Sequence, residues 1–116
     1  MFIFETFPVY QKSAELYQEV RVYLQNNKID KYVSDQLRRA LLSVVLNIAE
    51  GSGKFSKKEK RNFYLMARAS VYECVAVVNL LLAEELTNEL LIRWKEELLI
   101  VHKMLSGMIK SFSENI

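Results

Sequence analysis

The chain has 116 residues, 16 basic and 14 acidic, with a net charge of +2 and 51% hydrophobic residues. One Cys excludes an internal disulfide framework, and one Cys plus one His disfavours a zinc site built on several ligands. Three Gly and one Pro argue against collagen, a flexible linker or a turn-rich β-sandwich.

At 13.6 kDa this is one domain. A folded monomer of that mass exposes about 6,600 Å² of roughly 19,700 Å² in the extended chain, so a core can form without staples. The longest apolar run, Cys74 to Ala83, is interrupted by Asn79 and falls short of the ~20 residues that cross a bilayer. Met1–Phe4 is apolar but meets Glu5 at once and lacks a basic flank, unlike a signal peptide. These features lead us to expect a soluble chain in a reducing, cytoplasmic setting, with no membrane partner.

Pro8 suits the first turn of a helix, where its missing N–H costs nothing. A first helix over about 8–25 then presents Val9, Leu16, Val20 and Tyr23, with Tyr10, Tyr17 and Leu24 beside them. A second helix is expected over 32–50, closed by Gly51 in a left-handed cap, with Asp35 and Arg39 as an ion pair four residues apart. Ser56 and Glu59 form a capping-box pattern that opens a third helix over 56–84, seamed by Phe63, Ala67, Ser70, Cys74, Val77 and Leu81. Thr87 opens a fourth over 88–113, where Leu91, Trp94, Leu98, Val101, Leu105, Met108 and Phe112 repeat by three and four. Gly107 is its weak point. Four long helices with short loops predict an all-α, antiparallel up-and-down four-helix bundle in a single domain, 1–116.

Helix two carries more apolar surface than one bundle hides. At 100° per residue Leu37, Leu41, Val44 and Ile48 cluster within about 60°, while Leu42 and Leu46 lie roughly 120–160° away. Helix three is apolar nearly all round from Val75 to Ala83. A second apolar stripe asks for a second partner, so Leu42 and Leu46 are expected at a homo-oligomer interface. The competing expectation is that a crossing loop or the N-terminal arm, Met1–Phe7, covers them.

Between the stripes run Gln36, Arg39, Ser43, Asn47 and Glu50, within about 80° of arc. With Ser70 and Glu73 they suggest a half-buried polar network whose plain role is to fix helix register.

Charge is uneven. Residues 31–70 hold 9 basic and 3 acidic groups, while residues 71–116 hold 4 basic and 7 acidic. Lys54, Lys57, Lys58, Lys60 and Arg61 crowd the loop and first turns of the third helix, where their charge opposes the helix dipole. A cost without structural return points to an anionic partner, and Arg38 and Arg68 can extend the patch. The alternative is one solvated basic face. Phe55 among the lysines fits either a stacking residue or a hydrophobic staple.

Catalysis lacks its parts. Cys74 lies in a core seam, and His102 stands alone. Arg93 and His102 are nine apart, unlike the Arg and His four to six apart in helical RNases of the HEPN class. Glu50 and Glu73 have too few companions for a di-metal site. No catalytic residue, metal, cofactor or small-molecule substrate is expected.

Gln36-Leu37-Arg38-Arg39-Ala40, Ser43 and Asn47-Ile48-Ala49-Glu50-Gly51 resemble the signature of a bacterial four-helix-bundle family, the S23 ribosomal protein family. Val9 to Ser13 with Leu16-Tyr17 is similar to its first helix; Gly51 to Lys54, Ser56, Glu59, Phe63, Ala67, Ser70 and Glu73 resemble its loop and third helix. The likeness spans about residues 8–82. Val45 and Leu46 stand where the family often has Pro and Ser, and Ala69 where it often has Gly. The resemblance implies a protein first noted within insertions of large-subunit rRNA genes, with no known enzymatic activity. A related branch, the accessory protein of diversity-generating retroelements, is a homopentameric ring whose basic surface binds a reverse transcriptase and nucleic acid. By that resemblance a pentamer is expected here, contacting structured RNA or a nucleic-acid-bound protein. A protein–protein adaptor, or a structural oligomer without ligand, are the alternatives.

Overall fold

The computed structural model describes residues 1–113. A 3₁₀ turn, Ile3–Thr6, precedes four helices: α1 (Pro8–Asn26), α2 (Lys31–Ser52), α3 (Lys57–Glu84) and α4 (Glu89–Ser113). They pack as α1 on α2 and α4, and α3 on α2 and α4, which is the up-and-down order. The bundle measures 45 × 27 × 22 Å.

Local chemistry sets most helix ends. Pro8 occupies the first turn of α1. Asp30 caps α2 by accepting from the Val33 N–H at 3.0 Å. Ser56 caps α3 by accepting from the Glu59 N–H at 3.1 Å, and its hydroxyl donates to the Glu59 carboxylate at 3.1 Å. The box is thus closed through the Ser hydroxyl, a variation on the expected bond to the backbone. Asn88, rather than Thr87, caps α4 through the Leu91 N–H at 3.1 Å.

Gly51 corrects the sequence reading more sharply. It lies within α2, and no residue has a positive φ among those described. A Cβ on Gly51 would stand 2.8 Å from Tyr64 Cε1 and 3.0 Å from Phe63 Cβ. The glycine is there so that the end of α2 can press against the start of α3.

The core collects Val9, Leu16 and Val20 from α1, Leu37, Leu41, Val44 and Ile48 from α2, Tyr64, Val71, Cys74 and Val78 from α3, and Leu91, Trp94, Leu98, Val101 and Leu105 from α4. Tyr64, one position past the expected Phe63, is the buried aromatic of α3. By length and composition alone α3 is long and apolar enough to cross a membrane. In this fold one flank of it is core, where burial pushes the Cys74 thiol up to about 12, the neighbouring Glu73 charge and a backbone hydrogen bond adding smaller effects in opposite directions.

The α1–α4 seam is closed by charge. Arg93 bonds Glu19 and Glu97, Trp94 Nε1 donates to Glu19 at 3.2 Å, and Lys12 reaches Glu97 at 3.8 Å. Burial raises the Glu19 carboxyl, but the bonds from Arg93 and Trp94 and the charge of Arg93 outweigh it and hold it below the usual value. Burial likewise raises the Tyr64 phenol.

Candidate functional site

Among the features left outward are a loop at one end of the bundle and uncovered helix faces. The loop between α2 and α3 is pinned on both sides. Gly53 N–H donates to the Glu50 carbonyl at 3.1 Å and Lys54 N–H to the Gly51 carbonyl at 3.2 Å. The Lys60 ammonium donates to the Ser52 carbonyl at 2.8 Å. That cation sits at the C-terminal end of α2, where the helix dipole favours it. Lys54 lies over the Phe63 ring, 5.0 Å from its centroid.

These contacts divide the predicted basic patch. Lys60 and Lys54 have structural work, so their charge is not the uncompensated cost the sequence suggested. Arg61 is half-buried, and its Nε has no partner among the described residues. Lys57 and Lys58 stand exposed at the start of α3. Arg38 lies about 21 Å up α2 by helical rise and is engaged with Asp35 at 3.3 Å. Arg68 lies about 16 Å along α3 and donates to Ser106 Oγ at 3.2 Å, tying α3 to α4. Neither joins the loop cluster. The Asp35 pairing also differs from expectation: its partners are Lys31 and Arg38, not Arg39.

The polar stripe on α2 forms in part. Ser43 Oγ meets Ser70 Oγ at 2.9 Å, and Asn47 Nδ2 donates to the Ser43 carbonyl at 2.9 Å and its hydroxyl at 3.0 Å. This links α2 to α3 at one height. Gln36, Arg39, Ser70 and Glu73 line one shallow groove, while Asn47 and Glu50 line the next with Leu42 and Leu46. Glu50 and Glu73 therefore belong to separate grooves and do not pair.

Leu42 is 37% exposed and Leu46 52%. The N-terminal arm does not cover them. It packs on both α1 and α2, with Phe4 edge-on to Tyr10 and the Gln11 side chain donating to the Glu5 carbonyl at 2.9 Å, yet leaves Leu42 and Leu46 exposed. A second uncovered face, unforeseen in detail, is the groove between α3 and α4. Tyr72, Val75, Ala76, Ile92 and Leu99 line it. His102 lies there against the Tyr72 ring, centroids 5.3 Å apart, with its Nδ1 buried and unpartnered among the described residues. The all-round apolarity of Val75 to Ala83 was the available signal; it lacked only the register that α4 supplies. The accessible surface, 7190 Å², exceeds the ~6,600 Å² of a typical monomer of this mass.

The geometry defines a class: an antiparallel four-helix bundle with apolar flanks left open and a basic loop at one end. A more particular assignment comes from comparison. The model of the 23S rRNA-intervening sequence protein family matches residues 5–107. The chain belongs to that family. A solved structure from Bacteroides thetaiotaomicron VPI-5482, a protein of unknown function from the S23 ribosomal protein family, superposes with a TM-score of 0.81. It is 24% identical, and the match covers 88% of this chain and 98% of that one, which supports the shared fold. No curated protein matches.

Proposed function

We propose that this protein is a non-enzymatic, cytoplasmic, self-associating bundle that contacts structured RNA, or a nucleic-acid-bound protein, through the α2–α3 loop. The observation that carries the proposal is the pinned loop with Lys57 and Lys58 exposed beside Lys54, in a member of a family named for an rRNA insertion. Such cations exchange condensed counterions for phosphate contacts and read shape and charge rather than base sequence.

Self-association rests on the two open flanks. The Leu42–Leu46 stripe and the α3–α4 groove differ from each other, so pairing one with the other gives a head-to-tail contact, the kind that forms a ring when the rotation between subunits closes. Five copies follow the resemblance to the ring-forming branch. A ring repeats one weak basic loop on every subunit and turns it into avidity.

Binding of a hairpin RNA at about 50 mM and about 200 mM salt tests the RNA reading. Affinity should be measurable at low salt and fall steeply at high salt. Lys57→Glu with Lys58→Glu should abolish it without changing the mass in light scattering. No binding at low salt would refute the proposal. The uncovered α3–α4 groove favours a second reading, an adaptor docking a partner protein such as a polymerase. Protein capture that survives the lysine reversals and is lost with Leu99→Glu would favour it.

A further inference from the structure

Phe55 is 100% exposed. The sequence left it between a staple and a stacking residue, and full exposure removes the staple. A lone exposed apolar side chain needs no explanation as a rule. This one differs in its setting. Its loop is pinned by the Gly53 and Lys54 amides, by Lys60 on the Ser52 carbonyl and by the Ser56 cap. An ordered loop thus holds a bare aromatic ring outward, flanked by Lys54 on one side and Lys57 and Lys58 on the other.

We infer that Phe55 is a stacking platform for an unpaired nucleobase, so that the loop recognises looped or bulged RNA over a continuous duplex. The inference rests on the RNA reading above and deepens it. Within a duplex each base face is covered by its neighbours, and a side chain outside the helix reaches phosphate, sugar and groove edges but no free base face. A splayed base offers a free π-face, while the flanking phosphates fall to Lys57 and Lys58. The pinned loop limits the entropy lost when the ring is engaged.

The test compares one stem in two forms, closed by an all-adenosine loop or left as a blunt duplex, with 2-aminopurine in the loop as a stacking probe. Phe55→Ala and Phe55→Leu should each weaken the hairpin by roughly five- to tenfold, leave duplex binding unchanged and remove the 2-aminopurine quenching. Phe55→Trp should retain both. Thermal midpoints should not move, because the ring touches nothing that folds. Equal affinity of wild type and Phe55→Ala for the hairpin, with Lys57→Glu/Lys58→Glu still abolishing binding, would overturn the stacking role and leave the RNA reading intact. Loss of binding to neither RNA in the lysine variant, or no binding by wild type, would overturn both. Phosphatidylglycerol vesicles serve as the other arm: vesicle binding lost in Phe55→Ala, with hairpin affinity unchanged, would assign the ring to a membrane surface and overturn the inference.

Discussion

The charged seam of α1–α4 and the outer faces of α2 and α3 are finished in opposite ways. Along α1–α4, Glu19, Arg93, Trp94, Glu97 and Lys12 satisfy one another within one chain. Along α2, Leu42 and Leu46 stay in water, and Arg39 lies exposed with no ion pair among the described residues. The α3–α4 groove leaves Ile92 and Leu99 uncovered in the same manner. The charged stretch of α1–α4 is closed within the chain; the outer faces of α2 and of the α3–α4 groove are left open. The contrast teaches where to look for partners: charge that has already found its complement holds the fold, and apolar surface that has not is available for assembly.

The contrast is easiest to break at Trp94, which is fully buried and anchored to both core and seam. Trp94→Ala should lower unfolding free energy by about 3–5 kcal/mol in urea denaturation. A loss under ~1 kcal/mol would mean the seam is not what holds α1. Two glycines sharpen the point next. Gly107 has open space where a Cβ would go, so Gly107→Ala should stabilise by roughly 1 kcal/mol. Gly51→Ala gains the same propensity but collides with Tyr64, losing roughly 1–3 kcal/mol to overpacking. Opposite or unequal effects are expected from thermal melts; equal stabilisation would refute the close approach of α2 to α3.

The seam should also be acid-sensitive. The folded Glu19 carboxyl lies below its ordinary value of 4.5, so the stability it contributes is present above that value and lost as pH falls through the depressed one. Comparing wild type and Glu19→Gln from pH 6 to about 2.5 should show a shallower acid limb in the variant; superimposable curves would remove Glu19 from the account. The smallest effect on folding belongs to the open face. Leu46→Glu should alter the stability of the isolated subunit by less than ~0.5 kcal/mol, yet reduce the solution mass from that of the proposed five-copy ring to that of the 13.6 kDa subunit. An unchanged mass in light scattering would remove Leu46 from the interface.

Helix positions could be read directly from the chain, because Pro8, Ser56 and the heptad of α4 act on neighbours within one or two turns, whereas the caps at Asp30 and Asn88 were missed. The identity of the site residues was only partly legible. A lysine count gives the density of charge, but whether Lys60 is free or bonded to the Ser52 carbonyl depends on how two helix ends meet. Arg38 and Arg68 share a sign with the loop and lie elsewhere, since helical rise separates residues that composition groups together. The expected seven-residue polar network became a three-residue link for a similar reason: Ser43, Asn47 and Ser70 fall at one height of the α2–α3 contact.

The sequence by itself determined four amphipathic helices, their order, and a surplus of apolar surface on the second and third, for these follow from periodicity along a single helix. Only the tertiary structure decided that Gly51 serves a helix crossing, that α4 turns the surplus on α3 into a groove, and that Phe55 is left bare. Each of those depends on the distance between segments remote in the chain, and no local pattern encodes that distance.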